Sequence, residues 1–230
     1  MGTMVSYQDD SQTLEGYLAL TSSATKLPGV LVVPTWLNVS ESICVRADRL
    51  AALGYIVLVA DLFGAGIRPK PPQLPQTVVA SLLKYRLQFR QRLFAALKAL
   101  QSRPECDFDR IAAIGYCLGG CGVLELARAG APLQGVVSLH GILNTPLPAQ
   151  PETVKAKILV LHGDADPLAP FDELATFREE MRAAQANWQV NIYGAARHSF
   201  TGEGILDQET TEAAFHPQSE TLAFLEEVVR

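Results

Sequence analysis

Cysteine is scarce in this sequence: Cys44, Cys106, Cys117 and Cys121 are the only four in 230 residues, and no two are spaced Cys-x-x-Cys. A disulfide framework is excluded, and a reducing compartment, the cytoplasm, fits best. No apolar run approaches the roughly 18 residues that a membrane span needs, so no membrane partner is expected. Charge is also sparse, at 19% of residues against 48% hydrophobic, which excludes a disordered chain or a long solvated coiled coil. Basic residues are outnumbered, 19 Lys+Arg to 24 Asp+Glu. No basic run is dense enough to follow a phosphate backbone, and nucleic acid is not an expected partner. The basic cluster at residues 84–92 alternates with Leu and Phe and reads as the solvated face of a helix. The first sixteen residues lack a basic residue and carry Asp9, Asp10 and Glu15, the wrong chemistry for a secretory or transit peptide. Met1-Gly2-x-x-x-Ser6 matches the myristoylation pattern only loosely, and Met4 is an equally good start.

The order along the chain is that of an α/β protein. Short β-branched or aliphatic runs recur at 30–33, 55–60, 110–114, 135–139, 157–161 and 189–193, with helical patterns between them, the rhythm of a mostly parallel sheet with helices on both faces. An alternating run at 14–20 precedes any helix, as an edge or antiparallel strand would. Helices are expected at 42–53, about 76–101, 118–129, 172–186 and 217–229. No repeat or low-complexity segment divides the chain, so residues 1–230 read as a single domain, long enough to bury about 70% of its unfolded surface. One interval is overlong. Between the runs at 55 and 110 lies extra structure, beginning with the Gly/Pro-rich residues 64–72, which read as a loop past a strand end where open α/β sheets bind ligands.

Gly115-Tyr116-Cys117-Leu118-Gly119-Gly120 lies between a strand run and a helical run. A nucleophile elbow needs that context, because small residues two before and two after the centre allow a sharp turn that lifts its side chain above the sheet. A chance match from this composition has a probability of about 0.02. A thiol at a helix N-terminus beside an imidazole gains thiolate character, and the Leu118 N–H would face an oxyanion. An orienting acid should follow a later strand. Both Asp164 and Asp166 do so; Asp164 suits a turn or helix cap, and Asp166 is the expected acid. The base should follow the last strand, where His198 stands, giving the order Cys117, Asp166, His198. His140, at a strand end, should lie near the mouth of the site or serve as a hydrogen-bonded structural residue, while His162 and His216 read as structural or exposed. His162, Asp164 and Asp166 imitate a metal cluster, but no second ligand-dense segment accompanies them, and neither metal nor cofactor is expected.

These residues resemble the dienelactone hydrolase family of α/β-hydrolases over nearly the whole chain. The resemblance rests on Leu14-Glu15-Gly16-Tyr17-Leu18, Ala47-Asp48-Arg49-Leu50-Ala51 before Gly54-Tyr55, Asp61-Leu62-Phe63-Gly64, the Cys117 elbow, Gly163 through Asp166 to Pro170, and His198-Ser199-Phe200. It implies an α/β-hydrolase fold, Cys117 as nucleophile, His198 as base, Asp166 as its orienting partner, and an oxyanion hole from the backbone N–H groups of Trp36 and Leu118. Two departures accompany it. Thr35 stands where dienelactone-cleaving members carry a glutamate that manages the thiol proton, and Gly202 stands where they carry an arginine that grips the substrate carboxylate. Arg86 and Arg90 are candidates to replace that cation, and Thr35, Tyr116, His140 and Phe200 are further candidates to contact substrate. The expected activity is cleavage of a small-molecule ester, lactone or thioester through an acyl-enzyme. Two rivals are a redox or electrophile sensor using Cys117 with Cys121, and a hydrolase fold used only for binding. The oligomeric state is not legible.

Overall fold

The computed structural model describes residues 1–10, 12–70, 76–202 and 217–230. His216 and residues 71–72 of the Gly/Pro-rich stretch lie outside them. Eight strands form one sheet in the order β1-β2-β4-β3-β5-β6-β7-β8: β1 (Thr3–Gln8), β2 (Thr13–Ala19), β3 (Leu27–Val33), β4 (Ile56–Val59), β5 (Cys106–Tyr116), β6 (Gly135–Leu139), β7 (Lys157–Gly163) and β8 (Trp188–Tyr193). β1, β2 and β4 pair antiparallel, and from β4 across to β8 all pairings are parallel. This is the α/β-hydrolase architecture.

The two-residue period of β3 explains the layers. Leu31 and Val33 point into one apolar cluster, Val30 and Val32 into the other, and all four are buried. The first cluster is closed by α2 (Gln76–Lys84), α3 (Arg86–Gln101), α4 (Leu118–Arg128) and α5 (Phe171–Ala183), through residues such as Leu82, Phe89, Leu124 and Phe177. The second is closed by α1 (Glu41–Ala52) and α6 (Pro217–Val229), through Ile43, Ala47, Phe224 and Leu225. Ser40 caps α1 by accepting the Ile43 N–H, with Glu41 in its first turn and Arg49 in its last, each charge complementing the helix dipole.

Three expectations are corrected. A strand, β1, precedes the run at 14–20; only Tyr7 of its six residues is buried, so an edge strand with little apolar alternation left no strong pattern. The helix expected over 76–101 is two helices, bent at Tyr85 with φ −104° and ψ 67° although the hydrogen bonds Tyr85 N–H to Ser81 and Phe89 N–H to Tyr85 run through the bend. The third correction is the largest. Lys84, Leu87, Gln88 and Gln91 face solvent, but the arginines of residues 84–92 do not: Arg86 and Arg92 are buried and Arg90 is mostly so.

The cause is Glu125 of α4, fully buried and 35 residues away in sequence. Its carboxylate takes Arg90 Nε at 2.7 Å, Arg86 Nε at 3.5 Å and Arg128 Nη1 at 3.4 Å, while Arg128 also reaches Glu180 at 2.8 Å and the Leu143 carbonyl at 2.6 Å. Arg92 pairs with Asp9 at 3.1 Å and donates to the Leu62 carbonyl at 2.6 Å. Breaking a buried ion network from one side leaves the other charges uncompensated. Glu125→Ala is therefore expected to cost about 3–5 kcal/mol, measured as the change in urea-unfolding free energy. Arg86→Met combined with Glu125→Leu should cost less than Glu125→Ala alone.

Candidate active site

The site is built where β5 turns into α4. Cys117 sits at φ 53° and ψ −112°, a conformation an L-residue adopts only when its surroundings impose it. Here the imposition comes from the flanking glycines. A Cβ on Gly115 would lie 2.0 Å from the Gly119 carbonyl oxygen, and one on Gly119 would lie 2.0 Å from the Val33 oxygen and 2.6 Å from that of Pro34. Only glycines let the helix start against the end of β3. The same close approach sets the N-terminus of α4 beside the loop that carries Thr35 and Trp36.

Cys117 Sγ lies 3.0 Å from His198 Nε2, and His198 Nδ1 lies 2.8 Å from Asp166 Oδ2. The other carboxylate oxygen, Oδ1, accepts the Leu168 N–H at 2.9 Å, which fixes the carboxylate plane. Burial favours the neutral form of His198, but its hydrogen bonds to Asp166 and Cys117, and the charges of both, outweigh burial and push it up to about 10. Burial likewise acts to raise Asp166, and the His198 contact overrides it, leaving the carboxyl below the usual carboxylate range. The imidazole thus stands as a counter-ion between the sulfur and the carboxylate. Asp164 turns away: it is exposed, and its N–H donates to the Tyr193 carbonyl at 3.0 Å.

His140 takes a position that its place at the end of β6 did not reveal. It is wholly buried at φ 41°, and its Nδ1 accepts the Cys117 N–H at 3.2 Å, an N–H shared with the Leu139 carbonyl at 3.0 Å. The ring proton is then on Nε2, which donates to Thr201 Oγ1 at 2.7 Å. The ring stands edge-on to that of His198, with centroids 5.3 Å apart, and meets Phe200 at 5.5 Å. Burial, then the neighbouring His198 charge, pushes His140 down to about 3, so it remains neutral. Because the unfolded imidazole titrates near its ordinary value of about 6.5, the unfolded chain binds more protons than the native one between about pH 6.5 and 3. This group's contribution is thus complete above pH 6.5 and is lost on acidification, with a slope of up to about 1.4 kcal/mol per pH unit. Urea unfolding at pH 7 and pH 4 should show a smaller acid loss for His140→Gln than for the wild type. His198 has the opposite sign: its contribution is present below about 6.5 and fades as pH rises towards 10.

The remaining candidates divide. Trp36 and Leu118 are buried, and neither backbone N–H donates to an acceptor among the described residues. Thr35 is buried with its hydroxyl accepting the Leu37 N–H at 3.2 Å, in a turn that Asn38 closes onto the Thr35 carbonyl at 3.0 Å. Tyr116 points to the face opposite α4, its ring 5.5 Å beneath the Arg46 guanidinium. Arg86 and Arg90 are engaged by Glu125 and by the carbonyls of Asn144 and Leu147. His162 is buried, and its Nδ1 has no partner among the described residues. Cys121 is buried in α4, its thiol pushed up to about 11 by burial.

With this geometry in view, the comparisons with known proteins are direct. The dienelactone hydrolase family model matches residues 14–229. A solved dienelactone hydrolase-like promiscuous phosphotriesterase from metagenomic libraries superposes with a TM-score of 0.88 at 31% identity, over 100% of this chain and 99% of that one. A Bradyrhizobium protein named "Probable 2-oxo-3-(5-oxofuran-2-ylidene)propanoate lactonase" is 27% identical over 218 residues, 91% of this chain and 87% of its own. A mouse protein named as a carboxymethylenebutenolidase homolog is 26% identical over 157 residues, 67% of this chain and 62% of its own. No helix among the described residues is long and apolar enough to cross a membrane. The chain belongs to the dienelactone hydrolase family, hydrolases of lactone and ester bonds on an α/β-hydrolase fold.

Proposed function

We propose that this protein hydrolyses a small-molecule ester, lactone or thioester through an acyl-enzyme on Cys117, with His198 and Asp166 completing the triad. The observation that carries the reading is the continuous run from Cys117 Sγ to His198 Nε2 at 3.0 Å and from His198 Nδ1 to Asp166 Oδ2 at 2.8 Å. The thiolate attacks the carbonyl carbon, and the oxyanion that forms is met by the N–H groups of Leu118 and Trp36. Imidazolium Nε2 gives its proton to the departing alkoxide or thiolate. The now neutral His198 then takes a proton from water as that water attacks the thioester carbonyl, and the acid is released with the thiolate restored. No cofactor enters the balance. With Thr35, rather than a carboxylate, just past the end of β3 and its hydroxyl accepting the Leu37 N–H, the thiol proton falls to His198. Arg86 and Arg90 are turned to Glu125 rather than offered to a substrate carboxylate, which favours a neutral substrate. The buried Cys121, its thiol pushed up to about 11, weakens the redox-sensor reading. Four free cysteines suit action in the cytoplasm, and one domain acting without a nucleic-acid or membrane partner is the simplest arrangement.

The test is a turnover panel of neutral aryl esters, lactones, thioesters and a phosphotriester, each paired with an anionic analogue, for wild type and Cys117→Ser. Turnover of a neutral acyl substrate, at least tenfold faster than its anionic analogue and strongly reduced in the variant, is expected. Equal rates for wild type and variant on every acyl substrate would sink the proposal.

A further inference from the structure

Behind the candidate nucleophile, on the sheet face covered by α1 and α6, lies a cavity of about 400 Å³ that takes no part in the chemistry above. Its walls are largely apolar, with Leu50 on α1, Leu222 on α6 and the Tyr116 ring at the end of β5. Thr201 closes the side nearest His140, and Arg46 and Arg49 bring two cations to it from α1. The volume falls within the range of small-molecule sites.

We infer that this cavity binds an amphipathic monocarboxylate, its aliphatic chain along Leu50, Leu222 and Tyr116 and its head group at Arg46 and Arg49. Three residues apart, the two arginines share one side of α1 and can converge on a single anion. Arg46 is already oriented: Nη2 donates to the Thr201 carbonyl at 3.0 Å, and the guanidinium lies over Tyr116. Arg49 is exposed, at the wet edge where a carboxylate would keep part of its hydration. The walls could not satisfy a charged group set deeper, so a chain inward and a carboxylate outward is the orientation with the smallest desolvation cost. Tyr116 precedes Cys117, but its ring packs into the apolar cluster of the α1 and α6 face, opposite α4. The cavity meets the candidate catalytic site at Thr201, which lines it and accepts from His140.

Calorimetric titration of octanoate into protein whose Cys117 has been alkylated with iodoacetamide tests the inference without relying on turnover. One octanoate per chain is expected to bind. Arg49→Gln should weaken it about tenfold, and Arg46→Gln with Arg49→Gln further, whereas 1-octanol should change less than threefold in either variant. Leu222→Trp should abolish binding in a protein that melts cooperatively. The inference is overturned if the alkylated, folded wild type does not bind octanoate, if Leu222→Trp binds like the wild type, or if Arg49→Gln affects alcohol and carboxylate alike. Absence of ester turnover in the panel above would leave this result untouched, so the two readings fail separately.

Discussion

Cys117→Ala is expected to lower kcat by about 10⁴-fold or more on an ester that the wild type cleaves, with the fold retained. Alanine has the same backbone requirements as cysteine, and the strained turn at φ 53° is imposed by Gly115 and Gly119, which the substitution leaves in place. The N–H groups of Leu118 and Trp36 also stay, so the residual rate measures what the oxyanion hole and substrate binding achieve without a nucleophile. Intact-protein mass spectrometry of an acid-quenched reaction with an activated ester whose acyl-enzyme hydrolyses slowly should show one acyl adduct on the wild type and none on Cys117→Ala. Cys117→Ser should fall between them. A hydroxyl does not ionise beside an imidazole at neutral pH as a thiol does, and a histidine pushed up to about 10 is a poor base for a neutral hydroxyl but a good counter-ion for a thiolate. A Cys117→Ala enzyme with unchanged kcat would remove cysteine catalysis altogether.

What the sequence made legible follows from what is local. The parallel strands are runs of Val, Ile and Leu buried on both faces, and such runs stand out against the helical periods between them. Cys117, Asp166 and His198 each follow a strand, so their convergence at one edge of the sheet follows from parallel topology alone. The bend at Tyr85 left no trace because no Pro or Gly marks it and its hydrogen bonds run on. The arginines of 84–92 depart from the pattern for a different reason: a basic stripe is solvated unless acids face it, and here Glu125 faces it from another helix and Asp9 from the end of β1. The link between His140 and the Cys117 N–H depends on His140 being at φ 41° and on a ring rotation, neither of which is written in residue type. The sequence therefore revealed the reacting side chains better than the groups that hold them.

Asp166→Asn should lower kcat by about 10³–10⁴-fold with little change in KM. The size follows from hydrogen-bond direction. Asp166 Oδ1 accepts the Leu168 N–H at 2.9 Å, and an asparagine in its place keeps that bond only by turning its carbonyl oxygen there. Its NH₂ then faces His198 Nδ1, which must accept rather than donate. The neutral histidine is thereby fixed with its proton on Nε2, towards Cys117, where it can no longer take the thiol's proton or water's. Loss of the carboxylate charge also removes much of what holds His198 near 10, so the imidazolium that balances the thiolate titrates away at a lower pH. The alkaline limb of kcat/KM should move down by more than one pH unit in Asp166→Asn. Asp164→Asn is the control: that carboxylate is exposed and turned away, so kcat and both pH limbs should match the wild type. If Asp164→Asn carried the loss and Asp166→Asn did not, the orienting acid would be the other member of the pair, and the hydrogen bond from His198 to Asp166 would be structural.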